Sequence, residues 1–152
     1  MKSPQRAAWI QAIIDELQTL IDMRTFTITE RPANRNVLTT KDLFKLKRNA
    51  QQEITRYKHR CVARGYKQIH GEDYLECHSN VIRKESVRYL CALTAQNKAQ
   101  LYQIDIKNAY PTSDLKEDIY IEVPKGISLF PDQHPMKAAL QHYTDPVFKL
   151  NK

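Results

Sequence analysis

No stretch of the 152-residue sequence stays apolar for the about 18 residues that a helix needs to cross a bilayer, so no membrane span is expected. The opening Met1-Lys2-Ser3-Pro4-Gln5-Arg6 leads into Gln- and Glu-containing sequence, not an apolar signal core, so the expectation is an intracellular protein, cytoplasmic or nuclear. Cysteine is scarce. Cys61, Cys77 and Cys91 are odd in number, widely spaced and without a C-x-x-C pair, as expected of reduced, partly buried thiols. Cys77-His78 stand side by side, yet no second ligand pair follows at finger spacing, and structural zinc needs four ligands; zinc is set aside. Internal repeats and low-complexity tracts are absent too. What remains, 41% apolar and 27% charged residues, suits one ordinary globular domain.

What the chain has in excess is positive charge, with a net +7 and a pI near 9.3. A basic surface attracts phosphate backbones through counterion release. Position matters more than the total. The densest cluster is Arg56, Lys58, His59, Arg60 and Arg64, with Tyr57 and Tyr66 interleaved. On a strand, Arg56, Lys58 and Arg60 share one face because side chains alternate. Three cations so placed repel one another unless something anionic lies over them; a solvated strand face is the alternative.

The periodicity predicts an α+β domain. Ser3-Pro4 suits a helix start, and Trp9, Ile13, Leu17 and Leu20 recur at helical spacing, with Trp9 as a core anchor. Thr25 to Thr29 alternates as a strand. The runs Leu43–Lys47 and Ile54–Ala63 flank about six polar residues, as in a longer-looped hairpin. Residues 85–96 form a second helix with Val87, Leu90, Cys91 and Thr94 as its stripe. Leu101–Ile106 and Ile119–Val123 read as strands, the latter closed by Pro124-Lys125-Gly126. This order implies a mainly antiparallel sheet with helices on one face. Residues 127–152 show little periodicity and are expected to form an irregular, poorly packed tail.

Asp105 sits near the end of the predicted strand 101–106, opposite Tyr102, Ile104 and Ile106. A carboxylate on a rigid strand end is a hard oxygen ligand suited to a divalent cation. Phosphoryl-transfer sites hold two such ions with carboxylates from different strands, and one aspartate cannot hold both. A plain strand-end carboxylate is the other reading.

Residues 57–74, Tyr57-Lys58-His59-Arg60-Cys61-Val62-Ala63-Arg64-Gly65-Tyr66-Lys67-Gln68-Ile69-His70-Gly71-Glu72-Asp73-Tyr74, resemble the "YKARLVARGFxQxxGxDY" stretch of Ty1/copia-type reverse transcriptases. Gln103-Ile104-Asp105-Ile106-Lys107-Asn108-Ala109-Tyr110 is similar to that family's "QLDVKNAF", residues 118–126 to its "EEVYMxxPxG", and Trp9, Ala12, Glu16 and Leu17 to its "WxxAMxxEL" helix. Four segments match in order and spacing. The resemblance implies a partial fingers-palm polymerase domain over residues 1–126, from an RNA-directed DNA polymerase working on RNA or DNA template-primer with deoxynucleotides and two magnesium ions. It implies that Lys58 and Arg60 belong to the fingers hairpin that holds the nucleotide's triphosphate. Asp105 would be the first catalytic aspartate and a ligand to both metals, with backbone at Ile106 and Lys107 near the triphosphate. Tyr110 would be the aromatic gate that excludes a 2′-hydroxyl by clash. Arg56, Arg64 and Lys67 would contact nucleic acid.

The chain also departs from the pattern. "ETFAPV" is replaced by residues 76–81, "KWVFKxK" has Asp42 for its Trp, and the "LNG" after the gate is Pro111-Thr112-Ser113. Losing a buried aromatic costs about 3–5 kcal/mol, close to a small domain's whole margin. No paired aspartates like "YVDD" occur, while residues 147–152 look like the start of "VCKLKKSLYGLKQ". The expectation is therefore a truncated segment that is inactive by itself. The alternatives are a non-catalytic basic nucleic-acid-binding remnant and a non-functional pseudogene product.

Overall fold

The computed structural model describes residues 5–75, 80–106 and 109–152, with only the backbone at Tyr110. The predicted capping pair Ser3-Pro4 lies outside these residues. Helix α1 runs Arg6–Asp22 and buries Ile13 and Leu17, one turn apart, while Gln11 and Gln18 donate to Asp15 and Asp22 along its polar side. Strand β1 (Phe26–Glu30) follows, then the short β2 (Val37–Leu38). β3 (Thr40–Arg48) and β4 (Ile54–Ala63) form the predicted hairpin. Its tip is closed by Asn49, whose Oδ1 accepts from the Glu53 N–H at 2.9 Å. Helix α2 (Lys84–Gln96), β5 (Tyr120–Glu122), α3 (Pro135–Leu140) and β6 (Pro146–Leu150) complete the order.

Two sheets result. The first has strand order β1-β6-β5-β2; β6 is antiparallel to both neighbours, and β2 is parallel to β5. The second is the β3–β4 hairpin alone. The α+β class and the mainly antiparallel pairing match expectation. One face of the first sheet packs on α1 through Ile13, Leu17, Phe26, Leu38, Ile121 and Phe148. Phe26 and Phe148, adjacent across the β1–β6 ladder, stack at 4.1 Å with 12° between their planes. Gly126 brings a 3₁₀ turn (Lys125–Leu129) onto α1 so closely that a Cβ there would lie 2.6 Å from Ile13 Cγ2.

Three expectations are corrected. The segment 101–106 forms no strand, because a strand needs a ladder partner and none of the described residues pairs with it. Its apolar residues stand in the open, Ile104 at 87% exposure. Helix α2 forms where predicted but buries none of its residues, so it does not cover the sheet. Residues 127–152 are not an irregular tail. They include α3 and the central strand β6, in which Val147 and Phe148 are fully buried.

Candidate nucleic-acid and nucleotide interface

The hairpin register decides which side chains meet. Lys45 lies opposite Lys58, Lys47 opposite Arg56, and Leu43 opposite Arg60. Directly opposed residues share a face, so Lys45, Lys47, Arg56, Lys58 and Arg60 crowd one side of the ladder. Two of the pairs are like-charged, which destabilises a bare hairpin and favours any anion placed over it. Lys58 records this directly: its pKa is held below the ordinary lysine value, chiefly by Arg60, then by partial burial and Lys47. Glu16 of α1 works in the opposite direction.

The other side of the hairpin is packed. Trp9 of α1 meets Phe44 edge-on at 5.2 Å and Tyr57 at 4.9 Å. The predicted anchor therefore seats the hairpin on the helix. His59, expected on the face away from the cations, is there and is 2% exposed. Cys61 is also on this side, its thiol pushed up to about 12 by burial, with Asp42 adding to the shift.

Arg64 and Lys67 lie past the end of β4. The Arg64 N–H donates to Thr39 O, and its guanidinium donates to Tyr66 Oη at 3.3 Å. Lys67 is exposed in a 3₁₀ turn (Gly65–Lys67) that Asn36 ties to buried Asp73. Asp105 and Ile106 are exposed, in irregular chain rather than at a strand end. Their loop nevertheless approaches the hairpin: Ile106, Ala109 and Pro111 line a cleft of about 420 Å³ with Arg60, Cys61 and Val62, closed by Glu16 and Leu20 of α1. Lys107 and the side chain of Tyr110 lie outside the described residues.

Magnesium takes six oxygens in near-octahedral array. Among the described residues no three His, Cys, Asp or Glu side chains converge, and Asp105 offers one exposed carboxylate. The sequence reading also missed two cations of the basic face, Lys45 and Lys47. Their alternation in β3 was visible, but only the register shows that they join Arg56 and Lys58.

The match that decides the family covers residues 23–140, which fit the family model described as reverse transcriptase (RNA-dependent DNA polymerase). The chain belongs to the copia-type reverse transcriptase family. It is 31% identical over 134 residues, 88% of its length, to the retrovirus-related Pol polyprotein from transposon TNT 1-94 of Nicotiana tabacum. It is 30% identical over 119 residues, 78% of its length, to that from transposon RE1 of Arabidopsis thaliana. A mitochondrial protein of Arabidopsis thaliana, described as uncharacterized, is 33% identical over 88 residues, 58% of this chain and 52% of that protein. The matched part of this reverse transcriptase chain spans 10% and 8% of the two polyproteins. No solved structure matches it. No helix among its described residues is long and apolar enough to cross a membrane.

Proposed function

We propose that this chain is the fingers and first palm segment of an RNA-directed DNA polymerase, and that its own contribution is to hold polyanions. The five-cation face of the β3–β4 hairpin carries this reading. Lys58 and Arg60 take the triphosphate of a deoxynucleotide: Arg60 lines the cleft shared with Ile106, and Lys58 is its neighbour on the same face of β4. Arg56, Lys45 and Lys47 extend the same face toward the hairpin tip, where template-primer phosphates bind; Arg64 and Lys67 add charge beyond the strand's other end. Tyr110 is the sugar gate. Asp105 supplies one carboxylate to a divalent-metal site that needs further ligands to be complete. Without them the chain transfers no nucleotide.

The test is fluorescence anisotropy with a labelled single-stranded oligo-dT across a salt series. Lys47→Ala with Arg56→Ala should flatten the log–log salt slope by about 1.4, since each lost phosphate contact removes about 0.7 for single strands. An unchanged slope would sink the assignment of that face. A primer-extension assay with magnesium should stay blank for this chain; robust extension abolished by Asp105→Ala would overturn the inactive reading.

The second reading, a binding remnant with no catalytic role, is favoured by the basic hairpin face, which binds polyanions without any carboxylate. It requires oligo-dT affinity to be indifferent to Asp105→Ala with magnesium present.

A further inference from the structure

On the packed side of the hairpin, a buried histidine meets a carboxylate across the strands. His59 is 2% exposed, and its Nε2 lies 2.8 Å from Asp42 Oδ1. With Asp42 ionised, Nε2 carries the proton and donates; Nδ1 is buried with no hydrogen-bond partner among the described residues. A buried ring with one unpaired nitrogen is costly, so the bond at the other nitrogen is what makes the residue tolerable there. The two are not opposite one another in the ladder. Asp42 faces Cys61 and His59 faces Phe44, so the bond runs diagonally. The Phe44 ring leans on His59 at 5.2 Å and meets Trp9 of α1 edge-on, also at 5.2 Å, which ties the pair to the helix.

Both members depart from the family pattern given above. Asp42 stands where that pattern has Trp, and His59 where it has Ala. Two exchanges 17 residues apart in sequence thus meet at one contact. Alone, a carboxylate in place of an aromatic forfeits apolar packing, and a histidine in place of alanine brings two polar nitrogens into a buried site. Made together, they satisfy each other.

We propose that Asp42 and His59 are a coupled pair of positioning residues, whose diagonal hydrogen bond seats β4 on α1 with Arg56, Lys58 and Arg60 turned outward. The pair touches no ligand. It acts through the cations on the reverse side of the same strand, whose direction is fixed once the packed side is fixed.

A double-mutant cycle on the 152-residue chain tests it. Asp42→Trp, His59→Ala, and the two combined are compared for thermal midpoint and for affinity to a labelled oligo-dT. Each single exchange should lower the midpoint by roughly 3 °C or more, a shift typical of about one lost interaction in a domain this size. Each should also weaken oligo-dT binding at least threefold, and the double exchange should recover both readouts. Additive losses in the double variant would overturn the coupling. Recovery of the midpoint with oligo-dT affinity constant throughout would overturn the positioning role. Should either single variant fail to fold, His59→Gln, whose amide keeps a donor for Asp42, should match the unsubstituted chain; a loss like that of His59→Leu would count against the bond. The affinity arm rests on the polyanion reading of the basic face, whereas the midpoint arm does not. If the unsubstituted chain ignores oligo-dT, that reading fails and the midpoint cycle alone decides the coupling.

Discussion

At the scale of residues, the side chains of β4 divide the labour by parity. Even-numbered Arg56, Lys58 and Arg60 turn outward, and odd-numbered Tyr57, His59 and Cys61 turn toward α1. The depressed pKa of Lys58 has a consequence for binding. A polyanion laid over the face favours the protonated amine, so affinity is full while Lys58 is charged and declines as pH rises through its value in the free chain. That value lies below the ordinary 10.5, so the decline begins earlier than for an isolated lysine. Folding has the opposite sign, since the crowded ammonium opposes the hairpin at neutral pH and this opposition fades toward alkaline pH. Oligo-dT affinity measured from pH 7 to 10.5 should therefore fall at the alkaline end, and Lys58→Arg should remove that component, because a guanidinium does not titrate there. An identical profile for Lys58→Arg would show that the decline comes from elsewhere.

At the scale of elements, the chain contains two populations. Sheet strands β1, β5 and β6 share a closed core, while α2 and the segment 101–106 leave apolar side chains exposed, among them Val87, Leu90, Tyr102 and Ile104. Local stability should follow this division. Amide hydrogen exchange read by mass spectrometry should show slow exchange for peptides covering Phe26–Glu30 and Pro146–Leu150, and fast exchange across 84–106; equal protection in the two would contradict the packing described. The same division explains what could be read in advance. The hairpin was legible because two alternating, cationic runs flanked a polar loop. Strand β6 was not: Val147 and Phe148 are consecutive and both fully buried, so no period-two signal arises, and His and Pro nearby read as loop. Segment 101–106 failed in the other direction. Its alternation is real, yet alternation states which faces a strand would have and supplies no partner to pair with. The Asp42–His59 contact was out of reach because it depends on a diagonal across the hairpin, which neither segment carries alone.

At the scale of the whole molecule, α1 holds both sheets. It packs on the hairpin through Trp9 and on the larger sheet through Ile13 and Leu17, with Gly126 as the point of closest approach. An added methyl at Gly126 has nowhere to go, since it would meet Ile13 Cγ2 at 2.6 Å and Leu17 Cδ1 at 2.7 Å. Gly126→Ala should cost about 1–3 kcal/mol by overpacking, and denaturant unfolding should show it as a lower midpoint at unchanged slope. Phe148→Ala empties the centre of the sheet instead and should cost about 3–5 kcal/mol, a large share of an ordinary domain's margin, read as a much lower denaturant midpoint. A midpoint close to that of the unsubstituted chain would mean that the sheet does not depend on Phe148.

The β1–β6 ladder sets Thr27 against Lys149 and Ile28 against Phe148. On a ribosome, β1 therefore emerges about 120 residues ahead of the strand that it pairs with. At roughly 5–20 residues per second, that is roughly 6–24 seconds during which the nascent chain carries an open, apolar strand edge, while the hairpin, with its neighbouring strands and α1 already made, has everything it needs. The basic hairpin is thus equipped to fold during synthesis, before the sheet behind it has closed, and β1 is the strand that waits longest for its partner.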